Sequence, residues 1–377
     1  MAAMSKTAPQ SPRALLPRWT TWAPAVGLVT LALTWSNKHL PVALSVVVAI
    51  ILAASVLSAV EHAEVVAARV GEPFGSLILA VAVTVIEVGL IVMLMTSGSG
   101  EETQSLARDT VFSAVMITCN GILGLAILSG TGRRKGETGR INEEGSAAAL
   151  ATVVVLAALT LVVPRFTTSA RGSFLTGPQL AFEAAASIVV YVTFVMTQSI
   201  QHRDFFLPLN RRGQVITASA HADPPPTKVA LFSVGLLMCA LVAVVGLAKV
   251  ESPAIEAGVA AASLPQAFVG VVIALLVLAP ETIAAYNAGR RGHLQVGINL
   301  AFGSAIASIG LTVPTLAALS PLLDVDLELG LGNLQIVLLI TTMAVGMLTV
   351  SGQRVTRLHG ALHLVVLAAF LFMSIIP

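Results

Sequence analysis

The chain has 377 residues, of which 56% are hydrophobic and only 11% are charged, with a net charge of +2. A soluble domain carries roughly 25% charged residues, so this composition excludes a water-soluble globular protein and predicts an integral membrane protein. The two cysteines, Cys119 and Cys239, both lie in apolar runs, which excludes a disulfide framework and a thiolate metal cluster.

Apolar segments recur along the whole chain. A membrane-spanning helix needs about 20 mainly apolar residues. Eleven segments are candidates, at about residues 20–36, 41–60, 74–96, 110–129, 147–163, 183–200, 228–248, 267–288, 294–319, 334–350 and 358–376. The first is short and contains Pro24. The sequence therefore predicts an all-α polytopic membrane protein with about eleven transmembrane helices.

The basic residues indicate how these helices are oriented. With a cytoplasmic N-terminus, 16 of the 21 lysine and arginine residues fall in segments on the cytoplasmic side and five fall on the other side. Such an excess is the positive-inside signal of membrane proteins. We therefore predict a cytoplasmic N-terminus and a C-terminus outside.

The longest connection, residues 201–227, divides the chain into two halves. We predict an N-terminal tail with one extra helix (1–40), a first five-helix repeat (41–200), a cytoplasmic linker (201–227) and a second five-helix repeat (228–377). Because five is odd, the two halves enter the membrane from opposite sides. This parity permits two inverted repeats, an architecture of many secondary transporters.

Two acidic residues lie deep inside predicted spans. Glu87 is in the third span and Glu281 is in the eighth, which are the second spans of their five-helix halves. A charge inside a bilayer costs at least ~2.5 kcal/mol. One such glutamate is compatible with a neutral, structural role, but a pair at equivalent depths indicates a shared site near the bilayer midplane.

The span that follows each glutamate carries polar residues at mid-depth. Asn120 lies in the fourth span, and Ser304 and Ser308, which share one helix face, lie in the ninth. Thr84, three residues before Glu87, is an additional candidate. Pro280 removes a backbone donor immediately before Glu281 and favours a break there, which frees carbonyl oxygens.

These residue types indicate cation chemistry. Two carboxylates balance one divalent cation, two protons or two monovalent cations, and protons compete with cations for the same oxygens. Oxygen ligands from Glu, Asn, Ser and the backbone suit hard ions such as Ca²⁺. No His or Cys belongs to the predicted site, which argues against zinc or copper. We expect Glu87 and Glu281 to hold the metal ion.

Three stretches resemble the two α-repeats of the Ca²⁺/cation antiporter superfamily, and most closely its bacterial calcium/proton antiporter branch. They are GEPFGSLILAVAVTVIEVGLI, RDTVFSAVMITCNG and APETIAAYNAGRRGHLQVGINLAFGSAIASIGLTVP. The resemblance implies a ten-helix core with one extra N-terminal helix, acidic cation and proton sites at Glu87 and Glu281, and polar ligands at Asn120, Ser304 and Ser308. Many relatives carry Gly-Asn where this chain has Val83-Thr84 and Val277-Leu278.

We therefore expect a secondary transporter in a bacterial inner (plasma) membrane that exports cytoplasmic Ca²⁺ in exchange for external protons by alternating access. Its partners are inorganic cations, protons and the lipid bilayer, with no nucleic acid and no cofactor. Na⁺/H⁺ or K⁺/H⁺ exchange is the alternative, and a passive cation channel is a more distant one. Catalytic motifs of intramembrane enzymes are not found in the sequence. Three other glutamates, Glu61, Glu64 and Glu183, lie near predicted helix ends, where a solvated or interfacial position is expected.

Overall fold

The computed structural model describes residues 18–37, 40–71, 74–97, 104–131, 138–209, 214–215 and 224–376. Over these residues the protein consists almost entirely of long apolar helices. The predicted all-α membrane class is confirmed.

Twelve helices follow one another along the described chain. They are α1 (Arg18–Thr34), α2 (Val42–Val70), α3 (Phe74–Ser97), α4 (Leu106–Gly130), α5 (Glu143–Phe166), α6 (Gly177–Gln201), α7 (Thr227–Ala261), α8 (Phe268–Val277), α9 (Ala279–Arg290), α10 (Leu294–Leu323), α11 (Asn333–Val350) and α12 (Arg357–Ile375).

The number of spans is close to the predicted one. Within the described residues, nine helices are long and apolar enough to cross a membrane, and α8 with α9 makes a tenth if the two form one span. These two helices meet at a bend of 56°. Helix α1 has only 17 residues, so the count of eleven spans stays a prediction.

Two helices continue well past their predicted ends. Helix α2 runs to Val70 and α7 runs to Ala261. The added residues of α7 are rich in alanine, which has the highest helix propensity, and the helix accommodates Pro253. The glutamates at positions 61 and 64 therefore lie within α2, in its last three turns.

The extra N-terminal helix is attached to both halves of the bundle. Helix α1 packs against α2 and α7. The Thr20 carbonyl oxygen accepts a hydrogen bond from Ser58 Oγ at 2.7 Å and lies 3.1 Å from His62 Nε2. Helix α4 lies at the centre, because nearly all of its residues are buried.

The connections add little regular structure. Gly139–Arg140 and Arg354–Val355 form a short antiparallel pair, in which Gly139 is opposite Val355. Helix α6 is followed by a short 3₁₀ turn, Arg203–Phe206. The predicted linker 201–227 lies partly outside the described residues, at 210–213 and 216–223, as do residues 1–17 of the predicted tail.

Helices α4 and α10 each contain a π-helical turn near the middle. The turn of α4 is Ile117–Ile122 and that of α10 is Ser308–Thr312. Further π-helical turns occur at Ala158–Val162 and Thr197–Gln201. Such turns re-aim side chains and are frequent at functional sites. The turns of α4 and α10 contain two of the predicted site residues, Asn120 and Ser308.

Candidate cation-binding cavity

The two intramembrane glutamates line one cavity. Its volume is about 190 Å³, enough for an ion with several water molecules. Helix α3 contributes Glu87 and Thr84, α9 contributes Glu281, and α10 contributes Ser304 and Ser308. Five of the six predicted site residues therefore lie around the same space, although they come from three separate parts of the chain.

Glu87 is held by two hydroxyl groups of α10. Its side chain is 3% exposed. Ser308 Oγ donates to Glu87 Oε1 at 2.6 Å, and Thr312 Oγ1 donates to Glu87 Oε2 at 2.8 Å. Hydrogen bonds to an ionised carboxylate are short and roughly twice as strong as neutral ones. The protein thus satisfies both oxygens of this carboxyl group in the absence of any ion.

The π-helical turn of α10 spans the two donors. Ser308 is its first residue and Thr312 its last. Thr312 is not among the predicted site residues. The sequence nevertheless indicates it, because Ser304, Ser308 and Thr312 follow one another at intervals of four residues, which places them along one side of a helix.

Glu281 has a different environment at the start of α9. Helix α8 ends at Val277, α9 begins at Ala279, and Pro280 is the second residue of α9. The bend thus lies where Pro280 predicts it. The Oε2 atom of Glu281 is buried and has no hydrogen-bond partner among the described residues. The carboxylates of Glu64 and Glu87 are close enough to act on that of Glu281 electrostatically.

Asn120 is not among the residues that line the cavity. Its amide nitrogen donates to Thr342 Oγ1 at 2.9 Å, and its amide oxygen lies 3.2 Å from His363 Nδ1. The other ring nitrogen of His363 lies 3.0 Å from Thr349 Oγ1. This buried network joins α4 to α11 and α12. His363 and the two threonines are not among the predicted site residues, since a lone polar residue in an apolar span gives no sign of its partner.

Further polar side chains line the cavity, among them Gln198 of α6 and Asn299 of α10. Asn299 Nδ2 donates to the carbonyl oxygen of Phe206 at 2.6 Å. Together with Ser76 near the start of α3, they place one end of the cavity at the side of the bundle where α3 begins.

The opposite side of the bundle is covered by the segment between α10 and α11. Leu329 and Leu331 are buried there. Arg108 Nη1 bridges to Glu328 at 3.1 Å, and Arg108 Nε bridges to Asp109 at 2.9 Å. Backbone hydrogen bonds join Gly330 to Ser173 and Leu331 to Leu161. The polar end of the cavity thus lies toward one side of the bundle, and this packed segment lies on the opposite side.

The chemistry of the lining suits a hard cation as cargo. Within the part of the chain that the structure describes, there is no group of three or more His, Cys, Asp and Glu side chains able to hold a metal ion. The two carboxylates are instead accompanied by hydroxyl and amide oxygens. Oxygen ligands of this kind bind Ca²⁺, Na⁺ or K⁺ in preference to softer metals.

Comparison with known proteins agrees with this description. The family described as "Sodium/calcium exchanger protein" matches residues 40–200 and 232–376. The chain belongs to this family. The resemblance to the Ca²⁺/cation antiporter superfamily is thereby confirmed, and with it the general activity of a cation exchanger in a membrane.

Two relatives match along nearly their whole length. The chain is 41% identical over 368 residues to the protein y4hA of Sinorhizobium fredii (strain NBRC 101917 / NGR234), which covers 96% of this chain and 97% of that protein. It is 33% identical over 350 residues to the sodium-potassium/proton antiporter ChaA of Escherichia coli (strain K12), which covers 92% of this chain and 93% of ChaA.

The fold is also found in a solved structure. The structure of native YfkE has a TM-score of 0.71 and covers 95% of this chain and 100% of its own, at 14% sequence identity. A second structure describes YfkE as a Ca²⁺/H⁺ antiporter. At this identity the likeness concerns the fold.

Proposed function

We propose that the protein is a proton-coupled cation antiporter in which Glu87 and Glu281 are the shared binding sites for protons and the transported cation. The observation that carries the proposal is their position on one cavity, although they are 194 positions apart in the sequence. Thr84, Ser304 and Ser308 line the same cavity and complete the set of oxygen ligands.

Competition for the same oxygens couples the two ions. A carboxyl group that is shielded from water favours its neutral, protonated form. A cation that enters the cavity replaces the protons on the two glutamates, and protons that enter replace the cation. Each occupied state keeps the charge of the site balanced, whereas a site with two bare carboxylates carries a large desolvation cost. Exchange therefore follows without any further catalytic group.

Ca²⁺ is the cation that we propose first. Its charge balances two carboxylates, and it takes six to eight oxygen ligands in flexible geometry. The Ca²⁺/H⁺ antiporter YfkE has the same fold. Na⁺ or K⁺ is the second candidate, because the more similar relative ChaA is named a sodium-potassium/proton antiporter.

Alternating access moves the site between the two sides of the membrane. We propose that residues 41–200 and 228–377 are inverted repeats that move against each other, with the N-terminus in the cytoplasm of a bacterium. The π-helical turns at Ile117–Ile122 and Ser308–Thr312 support the repeat, since they lie in counterpart helices. In this orientation the cavity faces the cytoplasm, from which the cation is exported.

An ion-by-ion assay in inverted membrane vesicles tests the proposal. The lumen is made acidic, and Ca²⁺, Na⁺ or K⁺ is added outside. Exchange predicts that the cation accumulates in the lumen while the pH gradient falls. Vesicles with Glu281→Gln serve as the matched control. If no cation collapses the gradient, the proposal is wrong, and if cations equilibrate without being driven by the gradient, the protein is a channel.

A further inference from the structure

Glu183 of α6 is a second buried carboxyl group, apart from the cavity. A solvated or interfacial position was expected for it, and a solvated position is wrong, because only 4% of its surface is exposed. Neither carboxyl oxygen has a hydrogen-bond partner among the described residues. A buried polar group without a partner costs about 1–3 kcal/mol of stability.

The surroundings of Glu183 are almost entirely apolar. It lines a separate cavity of about 290 Å³ with Leu159, Val163, Leu175, Pro178 and Phe182, and the polar members of the lining are Thr167 and Gln179. No cationic side chain of the described residues pairs with Glu183. Arg165, at the end of α5, donates to Ser173 Oγ at 3.3 Å.

These surroundings indicate which ligand the carboxyl group holds. A metal cation needs several oxygen ligands, and this cavity offers too few. An isolated ionised carboxylate is very costly in an apolar environment, whereas a protonated one is neutral. A proton is therefore the ligand that Glu183 can bind without any other group.

One face of α6 connects Glu183 to the central cavity. Ser187 and Tyr191 follow Glu183 at intervals of four residues, so the three side chains lie along one side of the helix. All three are buried, and Ser187 Oγ has no hydrogen-bond partner among the described residues. Tyr191 lines the cavity that contains Glu87 and Glu281.

Helix geometry places Glu183 on the covered side of the protein. Eight residues separate it from Tyr191, which corresponds to about 12 Å along the helix axis. Tyr191 packs against α10 at Gly310, where a Cβ atom would lie 3.0 Å from Tyr191 Cβ. Gly310 lies between the two residues that bind Glu87, so Tyr191 is at the level of that glutamate. The cavity extends from there toward Gln198, and Glu183 lies in the opposite direction.

We propose that Glu183 is a proton-binding site on the covered side of the transporter, and that in the state that releases the cation to that side its protons pass along Ser187 and Tyr191 to the Glu87–Glu281 cavity. A proton from that side binds to the Glu183 carboxylate, and the neutral acid then releases it along the hydroxyl groups of Ser187 and Tyr191 toward the cavity. Glu183 returns to its starting state when the next proton arrives. The transfer of protons to the cavity rests on the proposed function, whereas the binding of a proton by Glu183 does not.

Infrared spectroscopy of the purified protein detects the proton directly. A protonated carboxyl group has a carbonyl stretching band that an ionised one lacks. We expect wild-type protein near neutral pH to show such a band that is absent from Glu183→Gln and unchanged in Glu144→Gln. Glu144 is an exposed carboxylate at the start of α5, so it is the matched control. An identical band in wild type and Glu183→Gln would overturn the proposal.

Transport measurements test the path to the cavity. Proton transfer by a positioned group contributes about 10²-fold or more to a rate, so cation-driven proton flux should fall at least about tenfold in Glu183→Gln. Cation affinity of the solubilised variant should stay within about twofold of wild type, since Glu183 lies outside the cavity. Glu183→Asp, which keeps the carboxyl group, should restore part of the flux, and Ser187→Ala should lower it with the infrared band unchanged.

Each outcome separates this inference from the proposed function. If Glu183→Gln does not fold, the carbonyl stretching band is compared between wild type and Glu183→Asp. The frequency of the band should differ between these two proteins. Unchanged proton flux in Glu183→Gln or in Glu183→Leu would overturn the path. Neither variant can carry a proton at this position, so normal flux would mean that the carboxyl group has only a structural role. If wild-type protein shows no cation-driven proton flux while the band depends on Glu183, the proposed function fails and the proton site remains.

Discussion

Glu87 and Glu281 line the same cavity, but the protein surrounds them differently. Glu87 lies within the unbroken helix α3, and both of its oxygens accept hydrogen bonds from hydroxyl groups. Glu281 follows a 56° bend, and its buried Oε2 atom has no partner among the described residues. One carboxyl group is thus satisfied by the protein, whereas the other has a coordination position open to a cation or a proton.

The helices that follow the two glutamates differ in the same way. Helix α10 directs Ser308 and Thr312 to Glu87. In α4 the side chain of Asn120 instead binds Thr342 and His363. Hydroxyl donors of the second half, Ser308 and Thr312, already bind Glu87, whereas Glu281 has a free oxygen atom among the described residues. We therefore expect the incoming ion to bind Glu281 first and Glu87 second.

The largest effect is expected from removal of either carboxylate. Glu87→Gln and Glu281→Gln should each reduce cation-driven proton flux by at least about 100-fold, because an uncompensated change of charge in a buried site costs about 3–5 kcal/mol. Flux is measured in inverted vesicles as the cation-induced collapse of the pH gradient. Glu144→Gln, at an exposed position, should transport normally. Retained exchange in one glutamine variant would remove that glutamate from the mechanism.

The two hydroxyl donors should affect transport mainly through Glu87. Hydrogen bonds to a charged group contribute about 1.5–3 kcal/mol, so Ser308→Ala or Thr312→Val should weaken apparent cation affinity about tenfold or more. Both donors favour the ionised carboxylate, and their loss favours its protonated form. The pH that gives half-maximal uptake should therefore rise. The measurement is uptake against pH at a fixed cation concentration.

Ser304→Ala is the control for these variants. Ser304 lines the cavity, but the hydroxyl groups that bind Glu87 belong to Ser308 and Thr312. Its pH profile should move less than theirs. Equal shifts in all three variants would show that the hydroxyl groups act as a general polar lining and not through Glu87.

The bend before Glu281 should contribute a smaller amount. Pro280→Ala supplies the backbone N–H that a continuous helix directs to the carbonyl oxygen four residues earlier, at Leu276. Helices α8 and α9 should then form a straighter helix, similar to the unbroken α3, and Glu281 should move away from its present position. We expect a several-fold loss of transport with no loss of thermal stability. Pro253→Ala, in the interior of α7, is the matched control, and equal transport in both variants would contradict this role of the bend.

Much of the fold could be predicted from the sequence, because a bilayer imposes simple requirements on it. Apolar length identified the helices, and two charges in apolar segments identified Glu87 and Glu281. Helix ends were predicted less well. The helical extension of α7 past Lys249 includes polar residues and Pro253, which a hydropathy criterion treats as a loop although neighbouring helices cover part of it.

The partners of polar side chains could not be predicted in the same way. Ser308 and Asn120 occupy similar places in counterpart helices, yet one faces the cavity and the other a neighbouring pair of helices. The direction depends on the π-helical turns and on residues far away in sequence, such as His363. A single sequence carries no local sign of such contacts. Glu183 illustrates the same limit, since its burial depends on how α6 packs against α5 and α10.

The smallest effect on transport is expected at Asn120. The sequence predicts that this residue is a cation ligand, whereas in the structure it belongs to a buried network with Thr342 and His363. In the structure, Asn120→Ala removes one hydrogen-bond partner of Thr342 and one of His363, and it leaves α11 and α12 less firmly attached to α4. The cost of buried groups left without a partner is about 1–3 kcal/mol. Thermal unfolding of the solubilised protein should therefore begin a few degrees lower, while cation affinity stays within about twofold of wild type.

The cavity-lining Ser304→Ala variant should show the reverse pattern, with weaker cation affinity and nearly unchanged thermal stability. If Asn120→Ala instead weakens cation affinity about tenfold and leaves the unfolding temperature unchanged, Asn120 is a ligand during transport. Its side chain would then have to leave Thr342 and His363 and turn toward Glu281, as Ser308 already does toward Glu87. In that case, the contact of Ser308 with Glu87 would belong to one state of the transport cycle, and a contact of Asn120 with Glu281 would replace it in the other state.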